Sequence, residues 1–201
     1  MHRRAGVAMT AIFLSAFVAC QSKSDSADAA DSAAAPAMRA DSASAMTSAA
    51  PTLSDAQIAQ IVLLANSGDS AHGEMAVTKA TNADVKAFGR TMIKDHGELN
   101  KQAVALATRL SLTPATSDAA TALQADVDNG GRDLMAKSGA EFDRSYIDSE
   151  VTVHQKVLDV LDQTLIPQSV NADLKTLLQQ ARGAIAGHLE RAKSLQKKTA
   201  M

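Results

Sequence analysis

The chain has 201 residues, with 20 Lys and Arg against 22 Asp and Glu, a formal charge of −2 and only 2% aromatic residues. A near-neutral chain with no basic stripe and no aromatic platform is not expected to bind nucleic acid. The sequence holds one Cys, which excludes an internal disulfide and a thiolate metal site.

The first twenty residues, MHRRAGVAMTAIFLSAFVAC, set Arg3 and Arg4 before an apolar run from Ala5 to Ala19. That run is too short to span a bilayer comfortably, and a basic front followed by an apolar stretch is the layout of an export signal. It closes on FVAC, which resembles a bacterial lipoprotein box, where the Cys is lipidated and becomes the first mature residue. Val18 and Ala19 suit that box, whereas Phe17 stands where Leu is usual. An ordinary signal carrying a stray Cys is the alternative. The expectation is a lipoprotein signal peptide over 1–19 and a lipidated Cys20, with Gln21 favouring the outer membrane, on the periplasmic side of the envelope. Residues 20–51, rich in Ala, Ser and Asp, have almost nothing to bury and predict a disordered tether. The partner implied is the membrane, reached through the lipid; the sequence does not specify a protein partner.

Residues 52–198 predict one all-α domain. Helix one follows Ser54, a good N-cap, with Ile58, Ile61, Ala65, His72 and Met75 near one face. Its NSGDSAHGE segment contains two Gly residues, each costing roughly 1 kcal/mol against Ala in a helix interior. They predict either a kink or close helix approach, or a break between two shorter helices. Asn82 in TNAD can cap helix two, whose stripe is Val85, Met92, Leu99 and Leu106, flanked by Phe88, His96, Ala103 and Leu110. It stops before Pro114. From Ser111 to Ser138 runs a long connection, with a short helix around Ala119 to Asp128 and then a break at NGG.

Helix three spans about Gly139 to Leu165 and is ended by Pro167. One stripe carries Phe142, Tyr146, Val153, Val157 and Val160; the adjacent one carries Ile147, Val151, His154, Leu158 and Leu161. Helix four, from about Asn171, spaces Leu174, Leu178, Ala181, Ile185, His188, Ala192 and Leu195 as in the seam of an antiparallel bundle. The connection between helices two and three is long enough to return along the molecule. The expected architecture is a ferritin-like four-helix bundle with a crossover between helices two and three, which leaves those two parallel. An up-down-up-down bundle with a decorated loop is the rival.

Counted from the TNAD end, His96 and His154 fall about fourteen and fifteen residues along their helices, nearly level at the helical rise. His72 and His188 fall within one or two turns of them. Carboxylates accompany the rings: Asp95 adjoins His96, Glu150 is four residues before His154, and Asp69 is three before His72. Such neighbours can reach a common point as metal ligands, or as acceptors that orient a ligating His. The candidate metal ligands are therefore His96, His154, His188, Asp95, Glu150 and His72. Imidazole suits Zn, Cu and Fe alike, so the set does not choose among them. The competing reading is a buried polar network in which each His is hydrogen-bonded to an Asp, a Glu or Tyr146 and no ligand is needed.

GEMAVTKATNADVKAFGRTMIKDHGELNKQAVALA, FDRSYIDSEVTVHQKVLDVL and ARGAIAGHLERAKSL together resemble an exported bacterial family catalogued as a domain of unknown function, family 4142. Its members are often labelled outer membrane proteins and grouped with ferritin-like bundles. The resemblance implies that fold over about residues 54–197, and places Glu74, Asp95, His96, Phe142, Asp143, Tyr146, His154 and His188 at the family's motif positions. It implies no established reaction. The chain has no Glu-x-x-His, so di-iron oxidase chemistry of the usual ferritin-like type is not expected. No nucleophile elbow, phosphate loop or Cys–His pair occurs either. The sequence leans towards a binding or structural module of the envelope with a His/carboxylate core suited to a transition metal; the alternatives are a purely structural or stress-related envelope module with no ligand and, less favoured, a metal-dependent redox enzyme.

Overall fold

A computed structural model describes residues 52–199; the expected signal peptide over 1–19, the expected lipidation at Cys20 and the expected tether over 20–51 lie outside the described residues. Among the described residues there is no strand. The chain forms α1 (Asp55–Lys79), α2 (Ala83–Arg109), α3 (Asp118–Met135) and α4 (Gly139–Val160). A π-helical turn (Leu161–Leu165) leads into the short α5 (Ile166–Gln168), and α6 (Ala172–Thr199) closes the fold. No helix among the described residues is long and apolar enough to cross a membrane.

Local chemistry sets the helix starts. Ser54 and Gln57 form a reciprocal capping box at α1, while Asn82, Ser117 and Asn171 each accept backbone N–H groups at the starts of α2, α3 and α6. The ends are tied by carboxylates from other helices. Asp143 of α4 accepts from the N–H groups of Thr81 (3.0 Å) and Asn82 (2.9 Å) in the α1–α2 turn. Asp55 of α1 accepts from the N–H groups of Val170 and Asn171, both at 2.9 Å, ahead of α6.

Contacts along the chain give the directions. The Ala115 N–H reaches the Ala56 carbonyl, so α3 begins beside the start of α1. Lys79 Nζ reaches the carbonyls of Leu134 (3.0 Å) and Met135 (2.6 Å), so α3 ends beside the end of α1. The long connection therefore carries the chain back along the whole length of α1, and α4 starts at the same end as α2. Helices α2 and α4 run parallel, and both are antiparallel to α1 and α6.

Of the two readings of the helix-one glycines, the structure bears out close approach, and three other expectations need correction. Helix α1 is unbroken, because its glycines serve close approach: a Cβ on Gly73 would lie 2.8 Å from the Gly89 carbonyl of α2, and the converse distance is the same. Helix α3 runs straight through NGG, because a Cβ on Gly130 or Gly131 would lie 3.3 or 3.4 Å from the His72 ring. Packing against that ring outweighs the helix cost of two glycines. Pro167 does not end helix three; the wider π turn precedes it, and the chain stays helical to Gln168. Val160 is exposed and Val153 and Val157 are half-buried, so the buried stripe of α4 is Phe142, Tyr146, Ile147, Glu150, His154 and Leu158.

The core is layered. An aliphatic half gathers Ile58, Ile61, Leu99, Leu106, Leu158, Leu178 and Ile185. An aromatic half gathers Val85, Phe88, Met92, Phe142, Tyr146 and Leu195, with the Phe142 and Tyr146 rings stacked at 6.0 Å. On α1, α2, α4 and α6 the buried residues change from one half to the other across polar side chains: Asn66 and Asp69, His96, Glu150 and His154, and His188.

Candidate metal centre

His96 of α2, His154 of α4 and His188 of α6 meet in that polar layer. Their ring centroids are 5.7 Å (His96–His154), 5.2 Å (His96–His188) and 5.6 Å (His154–His188) apart. One nitrogen of each ring lies within 4.8 Å of the others. His96 and His154 are each 1% exposed and His188 7%.

Each ring uses its other nitrogen in a hydrogen bond directed away from the cluster. His96 Nδ1 faces Asn66 Oδ1 at 2.9 Å and an Asp69 oxygen at 3.6 Å. His154 Nδ1 faces the Glu150 carbonyl at 3.0 Å and its carboxylate at 3.2 Å. His188 Nε2 faces Asp95 Oδ2 at 3.0 Å. Carbonyl and carboxylate oxygens only accept, so these three ring nitrogens carry the protons. What remains is His96 Nε2, His154 Nε2 and His188 Nδ1. All three are buried without a hydrogen-bond partner. In the neutral rings these are the nitrogens with lone pairs, and leaving such an atom unpaired costs about 1–3 kcal/mol. Three converging lone pairs are the donor set of a three-imidazole metal site, and outer acceptors that fix the tautomer are its usual support.

The charges around the rings shift strongly. Burial, reinforced by His154 and His188, pulls the His96 pKa down to about 3. Burial also lowers that of His188 despite its bond to Asp95. Burial opposes protonation of His154 too, but the Glu150 and Asp69 carboxylates outweigh it and raise its pKa. Asp69 is pushed up to about 7, first by burial and then by Glu150. Its carboxylate, that of Glu150 and His154 form a second close group of candidate ligand atoms within 4.8 Å. Tyr146 borders this group: burial first, then the nearby Glu150 carboxylate, raise its phenol well above the ordinary value, and its hydroxyl has no hydrogen-bond partner.

Of the six residues expected to ligate, the structure brings three imidazoles to one point. Glu150 stands behind His154, and Asp95 behind His188 rather than beside its sequence neighbour His96. His72 lies apart: its Nε2 donates to the Val127 carbonyl of α3 at 3.2 Å. Among the family-motif positions, Glu74 is exposed, Asp143 clamps the α1–α2 turn, and Phe142 receives Lys79 Nζ over its ring at 5.4 Å. The sequence reading missed Asn66, and it took Asp69 only as a companion of His72. The available signal was two polar residues three apart, on the face of α1 that also holds Ile58 and Ile61.

Residues 39–195 match the family described as Domain of unknown function (DUF4142), and the chain belongs to that family. No curated protein and no solved structure matches it.

Proposed function

We propose that this protein is a metal-binding module of the cell envelope: a ferritin-like four-helix bundle, exported and lipid-anchored through Cys20, that holds one transition-metal ion between His96, His154 and His188. The observation that carries the metal reading is the three unpartnered ring nitrogens facing one another, each on an imidazole whose other nitrogen is tied to an outer acceptor. The parallel course of α2 and α4, with α3 returning along α1, supports the ferritin-like assignment. The basic-apolar-FVAC start supports export and lipidation.

Binding fits better than turnover. The ring nitrogens lie in a layer with His96 and His154 at 1% exposure, and two surface hollows of about 330 and 370 Å³ are lined by no residue of that layer.

The raised pKa of His154 favours one other reading, in which a proton on that ring fills the centre and the layer is a closed polar network. Metal analysis of the full chain purified without a His-tag separates the two. Stoichiometric metal that is lost in His96→Ala and in His154→Ala is the expected result. Protein that carries no metal, and melts at the same temperature with and without added Zn, Cu or Fe, belongs to the network. For the anchor, Cys20→Ser is expected to release the protein from membranes; unchanged attachment refutes lipidation.

A further inference from the structure

The three rings lie in the core, so an ion must reach them between two helices, and the sides of the bundle differ. Between α1 and α2, Gly73 and Gly89 bring the backbones so close that a Cβ on either would lie 2.8 Å from the other's carbonyl oxygen. Helix α3 spans α1 and α4, bonded to α1 through His72 and the Val127 carbonyl (3.2 Å) and to α4 through Asp126 and Lys156 (2.7 Å). The side between α2 and α6 is built otherwise. There the outer acceptor of one ring reaches the surface: the Asp95 side chain is 32% exposed, whereas Asn66 and Glu150 are buried. Near His188 on α6, Gly183 and Gly187 are exposed, and a Cβ on either would meet nothing within 4 Å. Unlike Gly73 and Gly89 they serve no close approach, although each costs roughly 1 kcal/mol against Ala within a helix. Further along the same seam, Gln102 and Leu106 of α2 and Thr176, Leu177 and Gln180 of α6 line a hollow of about 330 Å³.

Resting on the metal reading above, we propose that the ion enters and leaves the centre between α2 and α6, past Asp95 and His188, and that Gly187 keeps this passage uncovered. His188 carries one of the three unpartnered inward nitrogens, Nδ1, and its outward Nε2–H is held by Asp95 at 3.0 Å. Breaking that one bond, to a carboxylate already at the surface, frees the ring to turn and open the centre. His96 and His154 are tied instead to buried acceptors. A side chain placed at position 187 leans towards the start of α6, as that of His188 does, and so lies beside the ring. The route of entry is at equilibrium also the route of release. An obstruction there slows both rates and leaves the affinity unchanged.

The test follows Co²⁺ uptake by the metal-free full chain in stopped flow, its release into excess EDTA, and its Kd at equilibrium. Gly187→Leu is expected to slow uptake and release alike, by about tenfold, with the Kd of wild type. Gly97→Leu is the control. Gly97 is equally open but lies on the edge of α2 towards α1, one turn before Asn100, which bonds Ser67 at 2.9 Å. That variant is expected to keep both wild-type rates. Unchanged rates in Gly187→Leu, or equal slowing in Gly97→Leu, overturn the passage while leaving a metal site standing. A weaker Kd in Gly187→Leu with uptake unchanged also overturns it, since the side chain then disturbs the rings rather than the route. If the wild type binds no Co²⁺, the metal reading itself is lost and this inference with it. Should Gly187→Leu lose its helical circular dichroism, Gly183→Leu takes its place.

Discussion

His72 and the His96–His154–His188 cluster use the same side chain, at nearly the same depth in the core, for different ends. His72 turns towards α3, donates Nε2–H to the Val127 carbonyl and packs its ring against Gly130 and Gly131. The other three direct their N–H groups away from each other, to Asn66, Glu150 and Asp95, and turn their second nitrogens inward. Burial does not distinguish them, since His72 and His188 are each 7% exposed. The destination of the N–H does: an imidazole that donates to a neighbouring helix acts as a fastener, and one that donates outward leaves a lone pair available at the centre.

The strongest way to break this contrast is to remove one ring from each setting. His154→Ala deletes one of three donors, and about one ion per chain should fall to background. His72→Ala should keep its metal. Metal content of the two proteins, purified side by side, is the measurement; loss of metal from His72→Ala would place that ring in the centre after all.

His72→Ala should instead show its effect in stability. It removes a buried hydrogen bond and the ring that fills the space left by two glycines, which together cost about 2 kcal/mol. Chemical denaturation of metal-free protein checks this. A cost near zero would mean that α3 is held to α1 by its other contacts, such as Val127 over Gly68 and the Lys79 bonds to Leu134 and Met135.

Much of this was legible in sequence, for a physical reason. His96 and His188 lie on faces whose other members are Leu, Met, Ile, Val, Phe and Ala, and a helix that buries such a face must bury the imidazole with it. Depth counted from the TNAD turn then makes the rings level. Glu150, one helical turn before His154, was legible as its outer acceptor, but the other two were not, because Asn66 lies 30 residues from His96 and Asp95 lies 93 from His188. Spacing along one helix pairs Asp95 with its neighbour His96; packing between helices gives it to His188. Glycines misled for a similar reason. Propensity alone reads NGG as a break, and only the presence of the His72 ring opposite makes the missing side chains favourable.

Proton linkage sharpens the contrast between donors and the carboxylates behind them. In metal-free protein, His96 has its pKa pulled from 6.5 down to about 3. The unfolded chain therefore takes up that proton first, and stability falls as pH drops below about 6.5. Asp69 is pushed from 3.8 up to about 7, so the folded protein takes its proton first, and stability rises as pH drops through about 7 towards 3.8. The two oppose each other over nearly the same window. Asp69→Asn removes the second contribution and leaves the first. Melting temperature should then fall more steeply between about pH 6.5 and pH 4 in metal-free Asp69→Asn than in metal-free wild type. Equal slopes would show that Asp69 does not hold a proton over this range.

The smallest effect is expected at Tyr146, whose hydroxyl is, like the three inward nitrogens, buried without a hydrogen-bond partner. It lies on the aromatic side of the layer, stacked on Phe142 and tilted against Phe88 at 6.2 Å. Tyr146→Phe keeps that ring packing and removes only the unpaired oxygen. Deleting a buried group that makes no bond recovers its desolvation cost, so the metal-free protein should be unchanged or more stable by up to about 1 kcal/mol. The three nitrogens belong together because they share a focus, whereas the phenol stands alone beside Glu150. Metal affinity in Tyr146→Phe should accordingly match wild type. A clear loss would draw Tyr146 into the same network as the rings, with its hydroxyl donating to Glu150 and steadying His154 from behind.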